Sequence, residues 1–378
     1  MRIVLVTDGL SPVSVGGMQS HSTNLARSLA ACGVNIDVVY PAHPTISPTE
    51  MRERTGLESG KIRAIPVAIP SMSFPGHYVA ELWRYSTRVE RALSVESRID
   101  WIYVQGLCGM ALLSGSRRRI ARVAVNLHGL EMFQRTTTVR GFAEQVLLRT
   151  PARLSARRAD ISLSLGAGTS RLLRSIGVPA SRIEEIPVGI DDNWVVDLPR
   201  PVRRIRRLLF VGRFERRKGI EELSAAIRQL DANAAFEFDF VGPIPAEHQI
   251  HRGGIRYWGL ITDRDRLRQI MDDCDVLVCP SYAEGMPTVI LEGMARGLAV
   301  IATHVGAVDE LVSSSNGWLI DASDEMALRN AIRSSLSIPA EVLFEKKLAS
   351  VAMVNTRFKW SQVAEKTART LAARAATS

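Results

Sequence analysis

The sequence predicts an α/β protein made of two similar halves, each built on a mostly parallel sheet. Two observations carry this. Short apolar strand-like runs alternate with helical patterns along the whole 378-residue chain. The alternation also breaks once, at Ile186-Pro187-Val188-Gly189-Ile190-Asp191, and then restarts with another buried strand. In the first half the strand-like runs are Ile3–Val6, Ile36–Tyr40, Ile62–Val67, Trp101–Val104, Val123–Leu127 and Ile161–Leu165. Helical patterns such as Gln19–Cys32, Tyr78–Leu93 and Gly141–Arg157 lie between them. In the second half the strands are Leu208–Val211, Phe236–Val241, Ile255–Trp258, Val276–Cys279, Ala299–Ala302 and Trp318–Ile320. Their helices are Ile220–Leu230, Arg264–Met271, Val289–Arg296 and Met326–Leu336, and Trp360–Ala375 forms a last helix. The polar stretch through Pro199-Arg200-Pro201 reads as a linker. The expected division is therefore a first domain over 1–188, a linker over 189–205, a second domain over 206–356 and a C-terminal helix over 357–378. Two such domains would face each other, the carboxyl ends of their strands lining one cleft.

Composition narrows the class. Hydrophobic residues make up 46% of the chain, enough for two packed cores. No apolar run approaches the roughly 20 residues needed to cross a bilayer. The start, Met1 to Asp8, reads as a buried strand rather than a secretory signal, which points to a cytoplasmic protein. Cys32, Cys108, Cys274 and Cys279 lack metal-ligand spacing and read as buried reduced thiols. The net charge of +9 is unevenly spread: ten arginines fall between Arg117 and Arg158, opposed only by Glu131 and Glu144. Such a face suits anionic lipid, a phosphorylated substrate or nucleic acid, and it equally suits plain solvation. A basic nucleic-acid-binding protein is the reading from another class, but it leaves Glu284, Glu292 and the glycine motifs unexplained, so a nucleic-acid partner is not expected.

Four constellations carry chemistry. Gly16-Gly17-Met18-Gln19-Ser20-His21 opens a helix after the first strand, where glycine lets backbone N–H groups approach an anion; it also fits an ordinary glycine-rich turn. It is not the G-x-G-x-x-G of dinucleotide binding, which argues against an oxidoreductase. Gly212-Arg213-Phe214-Glu215-Arg216-Arg217-Lys218-Gly219 places Arg213 and Lys218 at a strand's carboxyl end, able to neutralise a diphosphate, while Arg216 and Arg217 read as solvated. In Pro280 to Glu292, Glu284 falls in a loop, Gly285-Met286-Pro287 leads into a helix, and Glu292 lies inside that helix among apolar residues. An acid there is costly without a partner, either a ligand or a nearby cation. Two carboxylates around one helix start, beside two cations, suit a sugar attached to a diphosphate. His128-Gly129-Leu130-Glu131 sets a histidine at another strand's carboxyl end, as a site residue or a structural one. Asp273-Cys274-Asp275 mimics a metal-binding pair but falls where a helix gives way to a buried strand.

The order G-G, H-G-x-E, G-R-F-x-x-x-K-G and E-G-x-P-x-x-x-L-E-G-M-A-R-G resembles glycosyltransferase family 4 over nearly the whole chain. Its most specific part is Glu284 and Glu292, with Arg213 and Lys218 upstream. Cys274 to Ser281, Gly306 to Glu310 and Asn316 to Leu319 agree as well. The resemblance implies a GT-B fold of two Rossmann-like domains, with the C-terminal helix crossing back to the first. It implies a retaining glycosyltransferase that needs no metal or other cofactor. The donor would be a UDP- or GDP-sugar, and the acceptor a saccharide or lipid-linked saccharide of a bacterial cell-surface polysaccharide. By the same resemblance Arg213 and Lys218 bind the donor pyrophosphate and Glu292 its ribose. Glu284 contacts the transferred sugar with Gly285, Met286 and Pro287 beside it, His128 acts near the reacting centre, and Gly16 and Gly17 cradle phosphate or acceptor. Two positions depart from the family pattern: Val188 stands where Asn is common, and Ala307 where a second glycine is common. An epimerase or phosphorylase of the same fold is the alternative. The arginine-rich stretch, beside the loop Ala68 to Pro75, would dock the enzyme peripherally on anionic lipid at the cytoplasmic face of the inner membrane.

Overall fold

Continuous apolar runs bounded by turn residues are the signature of strands buried on both faces, and here they assemble into two parallel sheets. In the computed structural model, residues 1–14, 16–69, 77–96, 98–114, 120–136, 138–231 and 234–376 are described, the side chains of 139 and 140 excepted. Pro70 to Pro75 and Arg117, Arg118 and Arg119 lie outside the described residues.

The first sheet uses β1 (Arg2–Val6), β2 (Asn35–Pro41), β3 (Ile62–Val67), β4 (Trp101–Gln105), β5 (Arg122–Asn126), β6 (Ile161–Ser164) and β7 (Ile183–Glu185). Their order is β3-β2-β1-β4-β5-β6-β7, and Ile3 sits in register with both Ile36 and Trp101. The second uses β8 (Arg206–Val211), β9 (Phe236–Val241), β10 (Ile255–Tyr257), β11 (Val276–Cys279), β12 (Ala299–Thr303) and β13 (Gly317–Ile320) in the order β10-β9-β8-β11-β12-β13. Both sheets reverse direction of growth after their third strand, β4 returning beside β1 and β11 beside β8, the doubly wound arrangement in which ligands bind beyond the carboxyl ends at the reversal. Ile3 to Val6 and Val276 to Val278 are almost fully buried.

The chain divides into two compact units: residues 1–133, 142–189 and 360–378, and residues 134–141 and 190–359. The helix Trp360–Ala376 belongs to the first unit, as the resemblance implied. It packs on the helix Gly17–Ala31, and the Trp101 indole N–H donates to the Leu371 carbonyl at 2.9 Å.

Three expectations need correction. Of the stretch 189–205 expected as a linker, Gly189 belongs to the first unit and residues 190–205 to the second. Trp194 is 1% exposed, its carbonyl accepts from Arg296 at 3.1 Å, and the Val196 N–H donates to the Ala295 carbonyl at 3.0 Å, so the stretch lies against the second unit. The helix Ala340–Arg357 was not anticipated; its buried face mixes Leu343 and Val351 with Lys347 and Ser350, which blunts the apolar period. Cys32 is exposed, whereas Cys108, Cys274 and Cys279 are buried free thiols.

Candidate active site

In the second unit, the loop after β8 and the loop after β11 meet at the strand reversal. Gly219, at φ +66°, makes this approach possible: a Cβ there would lie 2.0 Å from the Pro280 carbonyl oxygen. The Tyr282 N–H donates to the Arg217 carbonyl at 2.7 Å. Lys218 is thereby presented to Glu284, its Nζ 2.5 Å from Oε1, with the Glu284 side chain nearly buried. Arg217 stands 3.8 Å from the other Glu284 oxygen and pairs with Glu215 at 2.8 Å. Arg216 is not a solvated residue as its sequence context suggested. It grips Glu222 through two nitrogens, donates to the Tyr282 hydroxyl at 3.2 Å and lies 4.8 Å over that ring. Arg216 and Arg217 therefore fasten the two loops to each other, which spacing alone could not reveal. Arg213 is not drawn to the Lys218–Glu284 pair; it is exposed and pairs with Glu215 at 3.0 Å.

Behind Glu284, the Gly285 carbonyl accepts from the Ala307 N–H at 2.8 Å. Gly306, at φ +57°, is the second obligatory glycine, since a Cβ would lie 2.1 Å from the Glu284 carbonyl. Met286 is buried, and Pro287 is the cap residue of the helix Thr288–Ala295, whose N–H groups point back toward the loop. Glu292 lies within that helix. Its one ionic partner among the described residues, Arg264, is 3.5 Å away and largely exposed. Burial pushes the Glu292 pKa up to about 7, with Arg264 opposing and Asp191 reinforcing the shift. Gln134 was missed in the sequence: its amide accepts from the Glu284 N–H at 3.2 Å and donates to the Glu284 carbonyl at 2.6 Å. A lone glutamine far upstream in sequence gives no signal. The mimic pair is spent on structure: Asp275 accepts from the Arg207 N–H and pairs with Lys347 at 3.3 Å, while Asp273 pairs with Arg200 at 2.6 Å.

In the first unit, Gly16 precedes and Gly17 begins the helix that follows β1. A Cβ on Gly17 would meet nothing within 4 Å, so its backbone is open to a ligand. Asp8, at the end of β1, accepts from Gln19 at 2.9 Å. His128 follows β5 in an unusual turn: His128 (φ +54°) and Leu130 (φ +51°) both adopt the left-handed region around Gly129. Such strain in non-glycine residues gathers at functional sites. The His128 N–H donates to Asn126 Oδ1 at 2.8 Å and its Nε2 lies 2.6 Å from Gln105 Oε1. Desolvation lowers the His128 pKa to about 4, so the ring is neutral near pH 7. Glu131 begins the short turn Glu131–Phe133.

Two further residues here were missed. His21 is 3% exposed, its ring edge-on to His128 at 5.0 Å and to Trp360 at 5.1 Å. Neither His21 nitrogen, nor Gln105 Nε2, has a hydrogen-bond partner among the described residues. Buried polar groups left this way mark places built to meet something else. The only signal in sequence was that His21 falls four residues after Gly17 and so shares its helix.

Residues 16–189 match a profile described as a glycosyl transferase 4-like domain, and residues 205–337 one described as glycosyl transferases group 1. One similar protein is TuaC of Bacillus subtilis, whose name gives it a proposed glycosyltransferase role in teichuronic acid biosynthesis. It is 39% identical over 128 residues, 34% of this chain and 32% of that protein's length. Sucrose-phosphate synthase from Thermosynechococcus elongatus superimposes with a TM-score of 0.81 at 20% identity over 100% of both chains. Anabaena HepE, solved in complex with UDP-glucose, superimposes with a TM-score of 0.70 at 18% identity, covering 99% of this chain and 100% of that one. With a family profile matched on each half and a doubly wound parallel sheet in each, the chain belongs to the group 1 glycosyl transferases, glycosyltransferase family 4, and is a glycosyltransferase of the two-domain, Rossmann-like GT-B fold.

Proposed function

We propose that the protein moves a sugar from a nucleoside-diphosphate sugar, UDP- or GDP-linked, to a saccharide or lipid-linked saccharide. The reaction retains the anomeric configuration and uses no metal or other cofactor. The observation that carries this reading is the Lys218–Glu284 pair, 2.5 Å apart at the strand reversal of the second sheet. A diphosphate arriving there takes Lys218 from Glu284, and the released carboxylate accepts hydrogen bonds from sugar hydroxyls. Arg213, on an exposed side chain, re-aims to supply the second cation. With the N–H groups at the start of the helix Thr288–Ala295, the two cations stabilise charge growing on the leaving diphosphate, the task a metal would otherwise perform. Glu292, once ionised, accepts from ribose hydroxyls. Neutral His128, held by Gln105, serves the reacting centre as a hydrogen-bonding imidazole, and the Gly16–Gly17 backbone receives phosphate or acceptor. The acceptor attacks on the face from which the diphosphate departs; no covalent nucleophile is assigned.

HepE was solved with UDP-glucose, which supports a nucleotide-sugar donor, and TuaC is named for teichuronic acid biosynthesis, which supports a role in bacterial cell-surface polysaccharide or glycoconjugate synthesis. A lipid-linked acceptor would place the enzyme peripherally on the cytoplasmic face of the inner membrane. Among the described residues no helix is long and apolar enough to cross a membrane. The test is a thermal-shift screen of UDP-, GDP- and ADP-sugars, because a ligand that binds only the folded state raises its melting temperature. One donor class is expected to raise it; no shift with any would overturn the reading. Proton NMR of the product is expected to show retention, and turnover is expected to persist in excess EDTA.

A further inference from the structure

The helix Val139–Arg158 carries an apolar surface that the first unit does not cover. Phe142, Val146, Leu147 and Leu154 are 52%, 48%, 47% and 44% exposed. At about 100° per residue these four fall within one arc of roughly 140°. Arg153 and Arg157, both exposed, lie on the same arc, and Arg149 borders it with its guanidinium 5.7 Å over the Phe142 ring. The acid of this helix, Glu144, falls outside the arc. The opposite side is the packed one: Ala152, Ser155 and Ala156 are buried. An exposed arc that pairs large apolar side chains with cations and excludes acids is the pattern of a helix lying in a bilayer interface, its apolar side chains among acyl chains and its arginines at phosphate. A soluble helix would carry its charges here and its apolar residues on the packed side.

We propose that this helix is a docking surface for an anionic lipid bilayer, seated by Phe142, Val146, Leu147 and Leu154 and held by Arg153 and Arg157. The charge decides the occupant. A second copy of this chain, at net charge +9, would bring like charge to the same face, whereas a phosphatidylglycerol surface brings the opposite one. The inference names the surface that a membrane-bound acceptor would require, and it does not depend on the donor assignment.

The test is sedimentation of the intact protein with phosphatidylglycerol-containing vesicles and with neutral phosphatidylcholine vesicles, without donor. Binding is expected to the anionic vesicles at low salt and to fall as salt rises. Phe142→Ser with Leu147→Ser is expected to lower the partition coefficient by roughly tenfold or more at every salt concentration. Arg153→Ser with Arg157→Ser is expected to remove much of the salt-sensitive part. Both double variants should keep the wild-type melting temperature, their positions being exposed, and the wild-type thermal shift with donor. A soluble wild type at low salt, wild-type binding by both double variants, or a dimer that Phe142→Ser dissociates would each overturn the proposal. Loss of donor shift with vesicle binding intact would count against the donor reading alone.

Discussion

Glu292 is a carboxyl whose burial lifts its pKa from the 4.5 of a free side chain to about 7. Its ionised form is therefore disfavoured by folding: the stability this group contributes is full below pH 4.5 and is lost as pH rises toward 7. Donor binding should run the other way, because the carboxylate is the better acceptor for a ribose hydroxyl. Donor affinity measured by calorimetry is expected to rise as pH increases through about 7, and Glu292→Gln should flatten that rise. Glu292→Ala is expected to weaken donor binding by about 1–3 kcal/mol, one lost hydrogen bond to a buried partner. Lys218 acts twice, on the phosphate and on Glu284. Lys218→Ala should lower kcat by roughly 100-fold or more, since it removes charge stabilisation that grows in the transition state. It should also lower the melting temperature, because Glu284 would be left nearly buried and missing its closest cation. Arg213→Ala is expected to share the kinetic loss without the thermal one, its side chain being exposed and away from Glu284. Equal melting losses in the two variants would contradict this division of roles.

The loops that frame Lys218 and Glu284 depend on two backbone approaches that no side chain can replace. Gly219→Ala would drive a methyl group to 2.0 Å from the Pro280 carbonyl, and Gly306→Ala to 2.1 Å from the Glu284 carbonyl, both at positive φ. Each substitution is expected to cost on the order of 1–3 kcal/mol from backbone strain alone and to spread the loops apart. Turnover should fall along with the denaturation midpoint, and an unchanged midpoint would argue that the loops are looser than they stand. These elements also show what was legible beforehand. Strand cores such as Ile3–Val6 and Val276–Val278 announce themselves because both faces are apolar. That each of the two loops follows a strand's carboxyl end was legible; the direct pairing of Glu284 with Lys218 was not, because strand order decides which loops meet. Gln134 on the Glu284 backbone, Arg216 on Tyr282 and His21 beside His128 could not be anticipated either, because each contact joins positions with no periodic or turn signal linking them. The packing of 190–205 was hidden for a related reason: its buried anchors, Ile190 and Trp194, stand apart in a Pro-containing stretch whose apolar residues follow neither a helical nor a strand period.

At the scale of the molecule, the chain's last helix belongs to the unit its first strand begins. Trp360, Val363, Ala364, Thr367 and Leu371 are buried in that unit, and Leu371 supplies the carbonyl that satisfies the Trp101 indole. Trp360 also closes over His21, which itself lies edge-on to His128. A chain ending at Lys359 would therefore lose part of a core rather than an appendage. At about 1.5–3 kcal/mol for each large apolar side chain returned to water, the loss of Trp360, Val363 and Leu371 is on the order of 5 kcal/mol or more. That is comparable with the whole stability of many domains. The expected result is a chain whose first unit is unfolded or melts far below the wild type, while the donor-side residues of the second unit, Lys218, Glu284 and Glu292, keep their surroundings. In the full-length chain Trp360→Phe, which keeps an aromatic ring at this position, should retain the fold; measured against wild type it isolates the effect of the indole on His21. Calorimetric melting of the truncated chain, with and without a nucleoside diphosphate, checks both halves of the expectation. A wild-type melting profile after truncation would show that the helix is dispensable to the first unit, and loss of all nucleotide binding would show that the second unit depends on it.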